Sequence, residues 1–119
     1  FPEFYRRRFP EDVSPDVIIV SAAFTRTTGK AHWEVLLRAR AIENQAYVIA
    51  SAQGGEHNSG RDTWGHSMII GPWGDIIAKC RFGENIVLGE VDMKKLQSIR
   101  DNLPALQHQE FNLRKRLSC

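Results

Sequence analysis

Apolar and polar positions in the first half of the chain predict a strand, a helix and a second strand. Residues 17–24, VIIVSAAF, form an apolar run without alternation, which is typical of a strand buried on both faces. Residues 31–44 repeat apolar side chains at helical spacing, and residues 46–52, AYVIASA, form a second unalternating run. We expect residues 25–30, TRTTGK, to be a loop in which Gly29 gives the backbone its freedom to turn. This order of elements predicts an α/β layered fold.

The predicted helix 31–44 has apolar side chains on more than one side. They form two stripes, one of Val35, Leu36, Ala39 and Ile42 and the other of Trp33, Leu37 and Ala41. Its charges are expected to pair within the helix, Glu34 with Arg38 and Arg40 with Glu43. A helix of this kind is expected to be covered on more than one face, either within a monomer or by a second subunit.

Strand patterns return in the second half of the chain after a polar stretch. Residues 56–65, EHNSGRDTWG, are expected to form a long exposed loop. Residues 66–70 and 75–79 have strand character and flank the turn sequence GPWG, so they predict a β-hairpin. Residues 86–91, IVLGEV, predict a third antiparallel strand.

Helices are predicted near both ends of the chain. Asp92 is a good N-cap for a helix over residues 93–103, which Pro104 ends. The apolar face of this helix consists of Leu96, Ile99 and Leu103. Residues 4–9 predict a short helix, and the tail 105–119 is polar and basic with weak periodicity.

Composition narrows the functional classes. The 119 residues suit one domain, and a formal net charge of +2 provides no global field that favours nucleic acid or a membrane. No apolar run approaches the length of about eighteen residues that a transmembrane helix needs. Three adjacent arginines, residues 6–8, could contact phosphates, but without interleaved aromatic side chains such a group is usually a solvated face. Cys80 and Cys119 have no metal-ligand spacing, which favours reduced thiols in the cytoplasm.

Candidate catalytic side chains are few. His32 and His66 adjoin apolar runs and are expected to be hydrogen-bonded structural histidines, whereas His57 lies among loop residues and is expected to be solvated. The four histidines, of which the last is His108, form no metal motif. Cys80 could act as a nucleophile only with a base beside it, and nothing local supplies one. The sequence therefore assigns no catalytic residue and no metal ligand.

Four segments of the chain resemble the nitrilase superfamily of carbon–nitrogen hydrolases, especially its deaminated-glutathione amidase and omega-amidase branches. They are residues 1–3, 16–55, 64–79 and 91–107, in family order and at nearly family spacing. The resemblance implies a four-layer αββα sandwich, of which residues 1–119 are expected to be the C-terminal portion of a single domain.

The resemblance also implies a Cys–Glu–Lys amidase without a cofactor. In such enzymes a cysteine thiolate attacks an amide carbonyl, ammonia leaves, and water hydrolyses the thioester, with a glutamate as base and a lysine beside the oxyanion. The nucleophile falls in a CYDLRFPE-like stretch, and this chain carries the FPE at residues 1–3. We therefore expect the triad upstream of this chain, the chain alone to be inactive, and the N-terminal half of the same protein to be its partner. The alternative is a non-catalytic interaction or regulatory protein with the same fold.

The substrate side of the site is implied by the same resemblance. The strand end at residues 21–24 is expected beside the scissile group, with the Phe24 backbone and the Thr28 hydroxyl contacting the polar end of the substrate. Alternatively, Thr25, Thr27 and Thr28 serve only as helix-entry and turn residues. Deaminated glutathione and omega-amides of 2-oxo acids are both compatible small-molecule substrates.

The same family likeness implies a homodimer. Helix 31–44 is expected to be an interface helix, which would explain its two apolar stripes. The tail after Pro104 is expected to cross to the partner subunit.

Overall fold

A four-stranded sheet forms the centre of the computed structural model, which describes residues 4–5 and 13–108. The strands are β1 (Val17–Ala22), β2 (Tyr47–Ala52), β3 (Gly54–Glu56), β4 (Asp62–Trp64), β5 (Met68–Ile70) and β6 (Ile76–Lys79). The main sheet has the order β1-β2-β5-β6, with β1 and β2 parallel and the two later strands antiparallel to their neighbours. The two central strands and the hairpin of β5 and β6 were all predicted, and the α/β class is confirmed.

A continuous helical run connects β1 to β2. It begins with α1 (Arg26–Thr28), passes through a π-helical turn (Gly29–Trp33) and continues as α2 (Glu34–Asn44). The expected loop over residues 25–30 is therefore wrong, because the helix starts five residues before the predicted position at Ala31. Gly29 has helical angles, φ −62° and ψ −45°, so its freedom to turn is not used. Instead it gives space, since a Cβ at Gly29 would lie 2.2 Å from Cβ of Trp64.

The hydrophobic core lies between this helical run and one face of the sheet. Trp33, Leu37 and Ala41 are buried against sheet residues, which include Ile18, Val48, Ala50, Met68 and Ile70. The Trp33 indole N–H also donates to the His66 carbonyl at 2.9 Å, which satisfies its polar group inside the core. The predicted stripe of Trp33, Leu37 and Ala41 thus faces the core.

The second stripe of the helix remains exposed in this chain. Val35 is 61% exposed, Leu36 41% and Ile42 51%. Among the charges, Arg40 pairs with Glu43 as expected. Glu34 instead binds Lys79 of β6 at 2.6 Å, and Arg38 donates to the Gly74 carbonyl at 2.8 Å, because both reach polar groups beyond the helix.

The two central strands differ in how they are buried. In β2 the adjacent residues Tyr47 and Val48 are both buried, so both faces are covered there as predicted. In β1 Ile18 is buried but Ile19 is 75% exposed. Burial of β1 on both faces is therefore wrong for this chain, since the helix covers one face and no described residue covers Ile19 on the other.

Two predictions for residues 56–91 were wrong. The expected loop is largely a second hairpin, in which Gly54 pairs with Trp64 and Glu56 with Asp62. The expected strand over residues 86–91 does not form, and Ile86 and Leu88 are more than four-fifths exposed at 83% and 87%. This segment finds no strand partner among the described residues, although it approaches the sheet at Gly89.

The predicted C-terminal helix is confirmed as α3 (Met93–Asn102). Asp92 caps it, because the Asp92 carboxylate accepts hydrogen bonds from the amides of Lys94 and Lys95 at 2.8 and 3.0 Å. Of its predicted apolar face, Leu96 is buried and Leu103 is 46% exposed. A short 3₁₀ turn, Ala105–His108, follows it.

Some predictions lie outside the described residues. Phe4 and Tyr5 are helical, but the rest of the predicted helix 4–9, its three arginines and the tail after His108 are not described. Within the described part of the chain, no helix is both long and apolar enough to cross a membrane.

Candidate functional site

Because β1 and β2 run parallel, their carboxyl ends meet at one edge of the sheet. In α/β sheets this edge is where ligands usually bind. Residues 23–28 follow β1 there, and Gln53 follows β2, donating its amide N–H to the Ala22 carbonyl at 3.0 Å. The hairpin of β3 and β4 adjoins the same edge through a bridge between Thr25 and Thr63. This edge, which contains both predicted substrate-side residues, is the candidate site.

Phe24 is held at this edge by its ring and by its carbonyl. The half-buried ring lies against Trp33, with centroids 5.2 Å apart and planes tilted by 57°. The carbonyl accepts a hydrogen bond from the Trp64 amide at 2.9 Å. The Phe24 amide N–H has no hydrogen-bond partner among the described residues. The amide N–H is therefore the backbone group of Phe24 that is available to a substrate, and its contact stays a prediction.

Thr28 lies one helical turn beyond Phe24 with an exposed side chain. Its Oγ1 is 2.9 Å from Oγ1 of Thr25 and donates to the Thr25 carbonyl at 3.3 Å. The π-helical turn begins at the next residue, and such turns are frequent at functional sites. The Thr25 contacts fit a helix-entry role, while the exposed hydroxyl still leaves room for a substrate, so both interpretations stay open.

A charged pair joins this segment to the second hairpin. Arg26 binds Asp62 with both branches of its guanidinium, Nη2 to Oδ1 at 3.0 Å and Nε to Oδ2 in a shorter contact. The hydrogen bond from Arg26 holds the pKa of Asp62 below its ordinary value, and the same bond raises the pKa of Arg26. Beside this pair, Arg61 Nη2 donates to the Ala23 carbonyl at 2.6 Å. The segment is thereby bound to the hairpin at Ala23, Phe24 and Arg26.

An aromatic cluster lies next to the charged pair. The Trp64 and His66 rings stack with centroids 4.0 Å apart and planes 15° from parallel. Phe82 meets both rings edge-on, at centroid distances of 6.1 and 5.0 Å. The Arg26 guanidinium lies 5.4 Å from the Phe82 centroid, within cation–π range. The candidate site therefore has an aromatic cluster beside its charged pair.

The predicted roles of the histidines met different outcomes. His66 is hydrogen-bonded as expected, with Nδ1 2.6 Å from the Trp64 carbonyl. His32 is exposed and has no described hydrogen-bond partner, so the role expected for it is not found. His57 is half-buried with Nε2 2.7 Å from Oγ1 of Thr63, so the expectation of a solvated side chain was wrong. The hairpin that replaced the expected loop is the reason.

Cys80 and the acidic side chains form no metal-binding group among the described residues. Cys80 is a free, buried thiol at 6% exposure. No group of three or more His, Cys, Asp or Glu side chains comes together there in a way that could hold a metal ion.

Several residues of the site were not identified from the sequence, namely Arg26, Arg61, Asp62, Trp64 and Phe82. Arg26 and Asp62 are 36 positions apart, and no spacing rule connects them. The one usable signal was the compact group of charged and aromatic residues in RDTWG, residues 61–65, which we interpreted as loop.

Comparison with known proteins identifies the family. The sequence pattern of the carbon-nitrogen hydrolases matches residues 1–101. The chain belongs to the carbon-nitrogen hydrolase family. Within this family it is similar to the mouse deaminated glutathione amidase, with 45% identity over 115 residues that cover 92% of this chain and 36% of the mouse protein. The deaminated glutathione amidase of Synechocystis sp. is 49% identical over 111 residues, 93% of this chain and 40% of that protein.

A solved structure supports the same conclusion for this carbon-nitrogen hydrolase chain. The crystal structure of Saccharomyces cerevisiae Nit3, a member of branch 10 of the nitrilase superfamily, matches with a TM-score of 0.79 and 31% identity. The match covers 93% of this chain and 40% of Nit3. The chain thus has part of the nitrilase fold, and it spans less than half the length of these relatives.

Proposed function

We propose that this chain is the C-terminal part of a Cys–Glu–Lys amidase that hydrolyses a small non-peptide amide and releases ammonia. The observation that carries the proposal is the identity of 44–49% to deaminated glutathione amidases over more than nine-tenths of this chain. In the proposed reaction a thiolate forms a thioester with the acyl group, and water then cleaves it. The cysteine supplies the nucleophile, so the proposal needs no cofactor.

The proposed contribution of this chain is the substrate wall at the carboxyl edge of β1 and β2. The Phe24 amide N–H would donate to an oxygen at the polar end of the substrate, and the Thr28 hydroxyl would bind the same end. The exposed hydroxyl and the unpartnered amide among the described residues support these assignments. The nucleophile, base and oxyanion-stabilising lysine are proposed to come from the N-terminal half of the same protein, in the cytoplasm.

Cys80 is not proposed as the nucleophile. Its side chain is buried, and a reactive thiol needs access to substrate and a group that favours the thiolate. The Cys80→Ala variant therefore distinguishes this proposal from an activity that the chain would have by itself.

The test is ammonia release from deaminated glutathione and from an omega-amide of a 2-oxo acid. The 119-residue chain alone is expected to be inactive. The same chain joined to an N-terminal half that carries the cysteine, glutamate and lysine (the joined protein) is expected to be active. Replacing that cysteine by alanine should abolish turnover.

Two results would contradict the proposal. One is activity of the isolated chain that is lost in Cys80→Ala. The other is a folded, joined protein that turns over neither amide, which would favour a non-catalytic interaction or regulatory protein.

A further inference from the structure

We infer that Arg61 is a positioning residue of the candidate site, which sets the direction and the donor strength of the Phe24 amide N–H. This inference rests on the proposed function, because the N–H is taken to bind an oxygen of the amide substrate. Neither the sequence pattern nor the similarity to known amidases assigns a role to Arg61.

The geometry follows from the planarity of the peptide group. The Ala23 carbonyl and the Phe24 amide N–H belong to the same peptide plane and point in opposite directions across it. Arg61 Nη2 donates to that carbonyl at 2.6 Å. With the carbonyl held on the Arg61 side, the Phe24 N–H points away from Arg61, and the plane cannot flip without breaking this bond.

The next peptide plane is held by the same hairpin. The Phe24 carbonyl accepts from the Trp64 amide at 2.9 Å, so both planes that flank Phe24 are bound by residues three positions apart in the hairpin. The bidentate pair of Arg26 and Asp62 is the third contact between residues 23–26 and the hairpin. Phe24 therefore has one backbone conformation as long as the hairpin stays docked.

The charge of Arg61 also strengthens the donor. A cation bound to a peptide carbonyl draws electron density from the amide nitrogen through the conjugated C–N bond. The N–H on the far side then becomes a stronger hydrogen-bond donor, because chains of hydrogen bonds polarise one another. An exposed arginine can supply this effect at little cost, since its guanidinium keeps other N–H groups in water.

The experiment compares Arg61→Gln and Arg61→Lys in the joined protein, with deaminated glutathione as the substrate. Arg61→Gln should raise KM about threefold with kcat little changed, since it weakens a contact made equally in the ground and transition states. Arg61→Lys keeps the charge and one donor, so it should recover most of the affinity. Arg81→Gln is the matched control, because Arg81 is exposed and has no described hydrogen bond. A merely structural effect would lower the active fraction and hence kcat, leaving KM unchanged.

A second measurement is independent of activity. The amide resonance of Phe24 is assigned by NMR in the joined protein. Its chemical shift and its hydrogen-exchange rate are then compared among the same variants. Arg61→Gln should shift this resonance and speed its exchange, whereas Arg81→Gln should leave it in place.

The two measurements separate the failure of this inference from the failure of the proposed function. If the joined protein is active and Arg61→Gln leaves KM unchanged, the inference is overturned while the amidase stands. If the joined protein is inactive, the amidase proposal fails, and the NMR arm still decides whether Arg61 holds the peptide plane. An unchanged Phe24 resonance in Arg61→Gln overturns the inference in either case.

Discussion

At the scale of single residues, the hydroxyl pair of Thr25 and Thr28 is the most direct feature of the candidate site. Their Oγ1 atoms are 2.9 Å apart, and both side chains are exposed at the start of the helical run. Thr28 donates its one proton to the Thr25 carbonyl at 3.3 Å and meets the Thr25 hydroxyl with one lone pair, so its second lone pair remains for a donor group of the substrate. Thr28 can therefore serve the helix entry and a substrate together.

We predict that Thr28→Val weakens substrate binding in the joined protein. Valine keeps the branched shape but removes the hydroxyl, so KM for deaminated glutathione should rise about threefold to tenfold with kcat retained. Thr27→Val is the control, because Thr27 is exposed and has no described side-chain hydrogen bond. Equal KM values for both variants and the wild type would leave Thr28 with a helix-entry role only.

Gly29 is required because of what lies against it. Its α-carbon packs on the Trp64 side chain, and an added Cβ would lie within 2.8 Å of three Trp64 atoms. Trp64 also stacks on His66 and donates its amide to Phe24, so it has little room to move.

We predict that Gly29→Ala destabilises the protein and disturbs the candidate site. Overpacking of this kind costs about 1–3 kcal/mol, which outweighs the better helix propensity of alanine. Urea unfolding should show the loss, with the neighbouring exposed Lys30→Ala within about 0.5 kcal/mol of the wild type. A Gly29→Ala variant as stable as the wild type would mean that Trp64 moves aside freely.

At the scale of elements, two polar contacts hold α2 against β6 and the turn before it, in addition to the hydrophobic core. Lys79 of β6 binds Glu34 at the first turn of α2, and Arg38 donates to the Gly74 carbonyl one turn later. The hydrogen bond from Lys79 lowers the pKa of Glu34 from its ordinary value of 4.5.

This pair predicts a pH-dependent contribution to stability. A carboxyl group whose pKa is lower in the folded state stabilises the fold when ionised, fully so above the unfolded pKa. The contribution of Glu34 should therefore be present at pH 7 and fall away as the pH drops below 4.5. Thermal unfolding of the wild type and Glu34→Gln should differ at pH 7, and the difference should shrink as the pH falls below 4.5, whereas exposed Glu90→Gln should match the wild type throughout. A difference between wild type and Glu34→Gln that stays constant down to pH 3 would contradict the pairing.

At the scale of the whole molecule, the exposed stripe of α2 supports the proposed homodimer. The stripe consists of Val35, Leu36 and Ile42, and Trp73, which is 63% exposed, lies in the turn before β6. Gly74 lies directly against Ile42, so the turn and the stripe are neighbours. Large apolar surfaces of this kind commonly mark interfaces.

We predict that Ile42→Glu weakens self-association. Burying an unpaired carboxylate in an apolar interface is costly, so the protein should shift from dimer to monomer in sedimentation or light scattering. Ile86→Glu is the control, since Ile86 is 83% exposed outside the helix. If the wild type is itself a monomer, or Ile42→Glu stays a dimer, helix 31–44 is not the subunit interface.

Local sequence patterns were enough to predict the main helices and strands and the family. Unbroken apolar runs, helical spacing and an Asp92 cap depend on neighbouring residues alone, so both central strands, α2, α3 and the hairpin of β5 and β6 could be predicted. The family could be predicted from the segments that resemble the carbon–nitrogen hydrolases, because their order and spacing are visible in the sequence.

Which side chains come together across the chain follows from the folded structure. Gly29 packs against Trp64 within the helical run that begins at Arg26, and this contact joins residues 35 positions apart. The pairing of Arg26 with Asp62 spans 36 positions, and the hydrogen bond from Arg61 to Ala23 spans 38. Long-range contacts of this kind leave no periodic pattern in the sequence. The hairpin of β3 and β4 and the hydrogen bonds of Arg26 and Arg61 could therefore not be predicted from it.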